Sequence, residues 1–224
     1  MRSHPFRKAT FGVGPPPSMS PRLFLLSPAN PAGRRGHLLR TSVNVDVAMR
    51  LRSPVGAPIG EVYRFISGLY FRGKLAYAER FARGQTYVIT PCHGLLSPET
   101  PITIETFDAL ARVNIDPADP RYLEPLIRDL VPIAAEWPGD VVLLGSVASP
   151  KYTRPLLDIL GERLLFPATF VGRGDMSRGG LLLRCVAARE ELTYVPVAGA
   201  VRNGARPPKL DPATRPKKEL GARS

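Results

Sequence analysis

Along this chain, short aliphatic runs that halt at proline, glycine or serine alternate with stretches whose apolar residues recur three and four apart. Residues 22–26 (RLFLL) predict a buried strand ending at Ser27-Pro28, and residues 87–90 (YVIT) a second, stopped by Pro91. Residues 140–146 (DVVLLGS) give the clearest strand, an acid and four aliphatics running into Gly-Ser. Residues 164–170 supply a fourth and residues 192–197 a last one. Between them, residues 74–83 predict a helix with Leu75, Ala78 and Phe81 or Ala82 on one face. Asp119-Pro120 reads as an N-cap followed by a first-turn proline. The helix it opens runs to about Trp137, with Leu123, Leu126, Ile127 and Leu130 inward and a bend at Pro132. Ser149-Pro150 opens another, carrying Leu156, Leu157 and Leu160, and residues 180–188 form the last. There is no internal repeat.

This alternation predicts an α/β fold: a mostly parallel open sheet with helices on both faces. Four strands then end in four polar loops, 27–30, 90–94, 145–149 and 172–179. In open α/β sheets the crossovers carry the carboxyl ends of parallel strands to one side, and ligands bind there. The ligand is therefore expected at that edge.

Composition sharpens the picture in three ways. With 224 residues and 44% hydrophobic content the chain can bury one proper core, which is expected over residues 21–201. No apolar run approaches the roughly 18 residues of a membrane span. Cys92 and Cys185 are too few and too far apart for a disulfide framework or a metal-ligand pattern, so a reducing, cytoplasmic location is expected, with no metal and no cofactor. The net charge of +12 sits at the ends. Residues 1–40 hold seven Lys/Arg and no acid, residues 202–224 hold seven more against two acids, and residues 41–201 are neutral, with 17 of each sign. A basic domain would point to phosphate backbones; basic ends on a neutral domain either touch nucleic acid or are simply solvated. Residues 1–20, with their PPPS run, read as a leader or as sequence ahead of a start at Met19. Residues 202–224 read as a disordered basic tail.

The loops carry the candidate chemistry. In 172–180 (GRGDMSRGG), glycines at a helix mouth suit an anion, and Arg173 and Arg178 offer bidentate contacts to it. Asp175 would accept hydrogen bonds from a sugar or base, or act as acid/base; with Ser177 it equally suits a helix cap. Ser27 and Asn30, followed by Arg34 and Arg35 between two glycines, form a second anion candidate without the ending of a nucleotide-binding P-loop. Ser146 and Ser149 flank the turn after the best strand, with Lys151 and Tyr152 next in line to reach over it. His93, beside Gly94, is a proton donor or ligand contact; Cys92 next to it points the other way along an extended loop, which makes a thiol–imidazole pair poor. Glu61 and Tyr63 open an aromatic stretch in which Tyr63 is the candidate for stacking on a base.

In order, these pieces resemble the bacterial peroxide-stress YaaA family. LFLLSPANP is similar to that family's opening ISPAK element, Gly60-Glu61-Val62-Tyr63 to its GDVY, and YVITPCHGLLSPET, after a Tyr77-Ala78-Glu79 helix, to its LSGLYGVLRPLD. DVVLLGSVASPKYTRPL resembles its VINLASxEYxKSV, and Arg173-Gly174-Asp175-Met176-Ser177-Arg178 its ARGxMSR. The family's long insertion before GDVY is much shortened here, Asn30 replaces the lysine of ISPAK, and Cys92-His93 replaces an aliphatic-tyrosine pair. The resemblance implies nucleic-acid binding and a part in resisting oxidative damage. Three readings follow: a nucleic acid or nucleotide bound at the loop edge; a nucleobase- or nucleoside-processing enzyme of glycosylase or hydrolase type using Asp175 and His93; or a partner-binding scaffold acting through its basic tails.

Overall fold

A computed structural model describes residues 21–212. The expected leader, 1–20, and the end of the expected tail, 213–224, lie outside the described residues.

The predicted α/β class holds. Six strands of the described residues make one sheet: β1 (Arg22–Leu26), β3 (Thr86–Ile89), β4 (Leu95–Leu96), β6 (Asp140–Leu144), β7 (Leu164–Pro167) and β8 (Tyr194–Pro196). Their spatial order is β4-β3-β1-β6-β7-β8, with β3, β1, β6 and β7 parallel and the two edge strands antiparallel. A separate two-residue pairing joins β2 (Ala57–Pro58) to β5 (Pro101–Ile102). The central strands are buried on both faces: Leu23 to Leu26 and Val141 to Leu144 are at most 1% exposed. Two-sided burial is why both read as unbroken aliphatic runs instead of alternating.

Among the described residues eight α-helices surround the sheet: α1 (Arg34–Thr41), α2 (Asp46–Leu51), α3 (Ile59–Ser67), α4 (Leu69–Phe81), α5 (Ile104–Arg112), α6 (Pro120–Glu136), α7 (Pro150–Leu160) and α8 (Asp175–Ala188). The sequence signals for α6 and α7 were the side-chain caps themselves, since Asp119 accepts from the Arg121 amide and Ser149 from that of Lys151. Helix α6 contains both Pro125 and Pro132 and continues to Glu136. Three helices occupy the region from 34 to 67, where the sequence offered an anion-binding candidate around Arg34 and Arg35 and an aromatic stretch from Glu61. Helix α1 has a basic, weakly apolar sequence that carries little amphipathic signal, and it is held by burying Gly36 and Leu39.

The next departure is at the other end. Residues 202–212, expected to be disordered, lie on the domain: Arg202 donates to Thr153 Oγ1 at 3.1 Å, and Arg184 donates to the carbonyl of Asp211 at 2.9 Å. A side chain at Gly172 would meet the Ala205 carbonyl at 2.1 Å, so the tail runs directly over the β7–α8 loop.

Two crossings place the functional edge. From β1 the chain goes to β3 on one side, then crosses to β6 on the other, so the strand order reverses between β1 and β6. Crevices form outside the carboxyl ends of strands at such a point. Leu26 pairs with Leu144 as the last register partners, and the Ser27 amide donates to the Leu144 carbonyl, so Ser27 and Gly145 leave the sheet side by side. The second crossing is helix on helix. A Cβ on Gly73 would lie 2.7 Å from the Gly179 carbonyl, and one on Gly179 would lie 2.8 Å from backbone of Leu69 and Tyr70. Only glycine lets α4 and α8 approach this closely.

Candidate functional site

A cleft of about 880 Å³ opens at the carboxyl ends of β1 and β6. That is within the size range of small-molecule sites. Its walls come from the β1–α1 loop, the end of α3, α4, the α5 end, the start of α7 and the first residue of α8. Four of the residues expected at the ligand edge line it: Ser27, Asn30, Ser146 and Asp175. Lys151 and Tyr152 line it too, as the first turn of α7 carries them over the edge.

A second cleft, of about 610 Å³, lies between β3 and α6, with Gln85, Tyr87, Arg128, Asp129 and Trp137 on its walls. Glu136 on its wall is exposed to solvent, and its other polar side chains already have partners. Asp129 accepts from the Leu95 amide at 2.8 Å and pairs with Arg128 at 2.7 Å, and the Tyr87 hydroxyl donates to Gln85. The strand-end cleft differs in having polar groups left over that are buried or half-buried.

The clearest of these is Tyr70, which lines the cleft and is only 7% exposed; among the described residues its hydroxyl makes no hydrogen bond of regular geometry, with the Arg178 guanidinium its nearest polar neighbour. Burial pushes its pKa up, and Arg178 opposes that rise through its charge and its approach to the hydroxyl. Tyr152 is also buried and its pKa is raised by burial, with Tyr70 and Asp175 close enough to act on it electrostatically. Lys151 is half-buried, lies 5.1 Å from the centre of the Tyr152 ring, and makes no ion pair among the described residues. At the cleft's rim Asn30 forms an Asx turn, accepting from the Ala32 amide at 2.9 Å, and Gly33 starts α1 without a side-chain cap. The first-turn amides of α1 are thus left to solvent or ligand.

Beneath the floor sits a residue the sequence reading passed over. Lys74 is 1% exposed, and its Nζ donates to the Ser27 carbonyl at 2.5 Å and to Ser27 Oγ at 2.9 Å. The ammonium also faces the rings of Tyr70 at 4.4 Å and Phe71 at 5.0 Å. Burial pulls its pKa from 10.5 down to about 7; Asp175 opposes this and Arg178 adds to it. The two hydrogen bonds and two ring faces favour the charged form and work against burial. The signal was present in the sequence. Lys74 stands four residues after Tyr70 and three after Phe71, which puts a charge in the middle of an apolar helix face.

The other expected site residues are placed elsewhere, and the reasons are physical. Tyr63 is fully buried, edge-on to Phe71 at 5.3 Å between ring centres, so it is core and offers no face to a base. Glu61 pairs with Arg50, away from the cleft lining. Arg178 is buried: two of its nitrogens donate to the Phe170 carbonyl at 3.2 and 3.3 Å. Arg173 spans the Thr169 carbonyl and Ser177 Oγ, and Arg35 donates to the Phe65 carbonyl. The expected arginine clamp is therefore spent on the protein's own carbonyls, and Arg34 stays exposed on α1 outside the cleft lining. Gly94 has φ +67°, and a Cβ there would strike Asp129 and the Pro125 carbonyl, so it serves the turn against α6. Ser149 is used as the α7 cap. His93 is exposed on that same turn, its amide donating to Thr90 Oγ1 at 2.9 Å, and it does not line the cleft. Asp175 and His93, expected to share acid–base work, are thus not both in the cleft. Among the described residues no cluster of His, Cys, Asp and Glu is arranged to hold a metal ion, and no helix is long and apolar enough to cross a membrane.

What these observations define is an open α/β sheet with a built cleft at its switch point. No family model, curated protein or solved structure matches the chain.

Proposed function

We propose that this chain binds a small phosphate-bearing nucleotide in the strand-end cleft. The observation that carries the reading is the polar wall of that cleft. It combines the buried hydroxyl of Tyr70, the ammonium of Lys151, which makes no ion pair among the described residues, and the exposed carboxylate of Asp175 within about 880 Å³. Lys151, with the open first turn of α1 across the cleft, suits a phosphate. Tyr70, Asp175, Asn30 and Ser146 supply acceptors and donors for a sugar or base. The resemblance to the YaaA family supports a ligand related to nucleic acid, and a cytoplasmic role in withstanding oxidative damage is the broader form of the same proposal.

The geometry favours a mononucleotide over a long strand. Binding along a backbone needs a row of available cations, and Arg35, Arg173 and Arg178 are held by carbonyls. Calorimetric titration with nucleoside 5′-monophosphates, the matching nucleosides and short oligonucleotides tests this. Monophosphates should bind with a modest salt dependence, and Lys151→Ala should weaken them by about tenfold, or ~1.4 kcal/mol. Binding confined to oligonucleotides, with a steep salt dependence, would overturn the mononucleotide reading. Loss of function on removing 1–20 and 213–224, with the cleft variants silent, would move the function to the tails.

A further inference from the structure

Ser27 is the first residue beyond β1, and it lines the cleft floor directly above Lys74. Its hydroxyl has two neighbours able to take its hydrogen: the Leu144 carbonyl at 3.5 Å and Lys74 Nζ at 2.9 Å. The first is long for an O–H···O bond and the second is ordinary. When Lys74 is charged, it donates to both the carbonyl and the hydroxyl of Ser27. When it is neutral, one N–H still holds the carbonyl while the nitrogen lone pair accepts the hydroxyl proton. The same geometry therefore serves both protonation states without moving a heavy atom.

From this arrangement we infer that Ser27 is a nucleophile and Lys74 its general base, making the cleft a site of acyl transfer on an ester. Serine needs such a base because its hydroxyl is a weak nucleophile when protonated, and serine–lysine pairs are a known form of the nucleophile–base arrangement. An ester carbonyl is the fitting electrophile. It is neutral, whereas a transferring phosphoryl group needs several cations around it, and with the arginines of this edge held elsewhere only Lys151 lines the cleft as a cation among the described residues. In the first half-reaction Ser27 Oγ bonds to the acyl carbon as its proton passes to Lys74 Nζ. The ester C–O bond then breaks, and the leaving alkoxide takes the proton back from Lys74. Water next attacks the acyl-serine, again losing its proton to Lys74, and Ser27 departs carrying that proton.

The charges facing Lys74 fit a base working near neutral pH. From α4 itself comes Tyr70, from α7 Tyr152 near Tyr70, and from α8 the opposed pair Asp175 and Arg178. Burial brings the ammonium to about 7, so the neutral amine is present at neutral pH.

The size and charge of the natural ester rest on the nucleotide reading; the Ser27–Lys74 pair does not, and the test separates them. The full chain is incubated with a small neutral fluorophosphonate, and the modified residue is located by peptide mass spectrometry. Labelling forms the Oγ–P bond, breaks P–F and releases fluoride. A single adduct on Ser27 is expected, absent in Ser27→Ala. The labelling rate should rise with pH through a midpoint near 7, and it should fall about a hundredfold in Lys74→Met. Lys74→Arg keeps a buried cation but is no base at neutral pH, so it should fall as far. No adduct on Ser27 in folded wild-type protein, or equal rates in wild type and Lys74→Arg, would overturn the pair. Labelling of Ser27 without nucleotide binding would uphold the pair and reject the nucleotide.

Discussion

Two buried cations, Lys74 and Arg178, meet where α4 crosses α8, and they are held in opposite ways. Arg178 directs two nitrogens at one backbone carbonyl, that of Phe170, with its guanidinium 5.4 Å from the centre of the Phe170 ring and Asp175 at 3.8 Å. Guanidinium keeps its proton at any ordinary pH. It acts as a strut that ties the α8 start to the short 3-10 turn at Ala168–Phe170. Lys74 has no carboxylate at contact distance among the described residues; it holds both the carbonyl and the hydroxyl of Ser27 in the cleft, and its charge is movable because burial has lowered its pKa to about 7. A fixed charge serves architecture here and a titrating one serves the site.

The sharpest way to break this contrast is to exchange roles at the crossing. Lys74→Met should abolish the base, with the hundredfold loss of Ser27 labelling already given, or ~2.7 kcal/mol in barrier. The crossing itself should be next in size. Gly73→Ala or Gly179→Ala drives a methyl into backbone at under 3 Å, and about 2–3 kcal/mol of stability should go, lowering Tm by roughly 5–10 °C. Arg178→Met leaves the Phe170 carbonyl with the Arg173 amide as its remaining donor and should cost about 1 kcal/mol by denaturant titration, while Ser27 still labels. If Arg178→Met silenced Ser27 at full stability, the strut assignment would be wrong.

Smaller effects sharpen the same contrast through pH. Lys74 holds its proton to about pH 10.5 when unfolded and to about 7 when folded, so between those values the unfolded chain binds more protons. Stability from this residue is therefore fully present above the unfolded pKa and is lost as pH falls through about 7. Wild type should gain Tm from about pH 7 to about pH 10, and Lys74→Met should lack that gain. The smallest shift comes from Asp175→Asn. Removing a carboxylate that favours the ammonium should lower the labelling midpoint by less than about one pH unit, since its side chain is 70% exposed and screened by solvent.

The same pair shows how far the sequence could be read. Local rules sufficed for the sheet: two-sided burial makes aliphatic runs, and Asp119 and Ser149 cap the helices they precede. They also sufficed to say that Ser27, Asn30, Ser146 and Asp175 gather at one edge, because parallel strands force that convergence. They failed where a side chain's partner is distant in sequence. Nothing local says that Arg178 will turn to the Phe170 carbonyl instead of solvent, or that Tyr63 will be sealed against Phe71. Lys74 reaches Ser27 across 47 residues, from α4 to the residue after β1. A lysine inside an apolar helix face was the one legible sign of it.

Titrating the Lys74 side chain directly, by carbon-13 NMR of labelled lysine in the folded protein with Lys74→Arg for assignment, tests the contrast most plainly. A resonance that titrates near pH 7 makes Lys74 a base seated under the cleft. One that keeps its proton to the ordinary lysine value of 10.5 makes it a second strut, like Arg178, and removes the chemistry from Ser27.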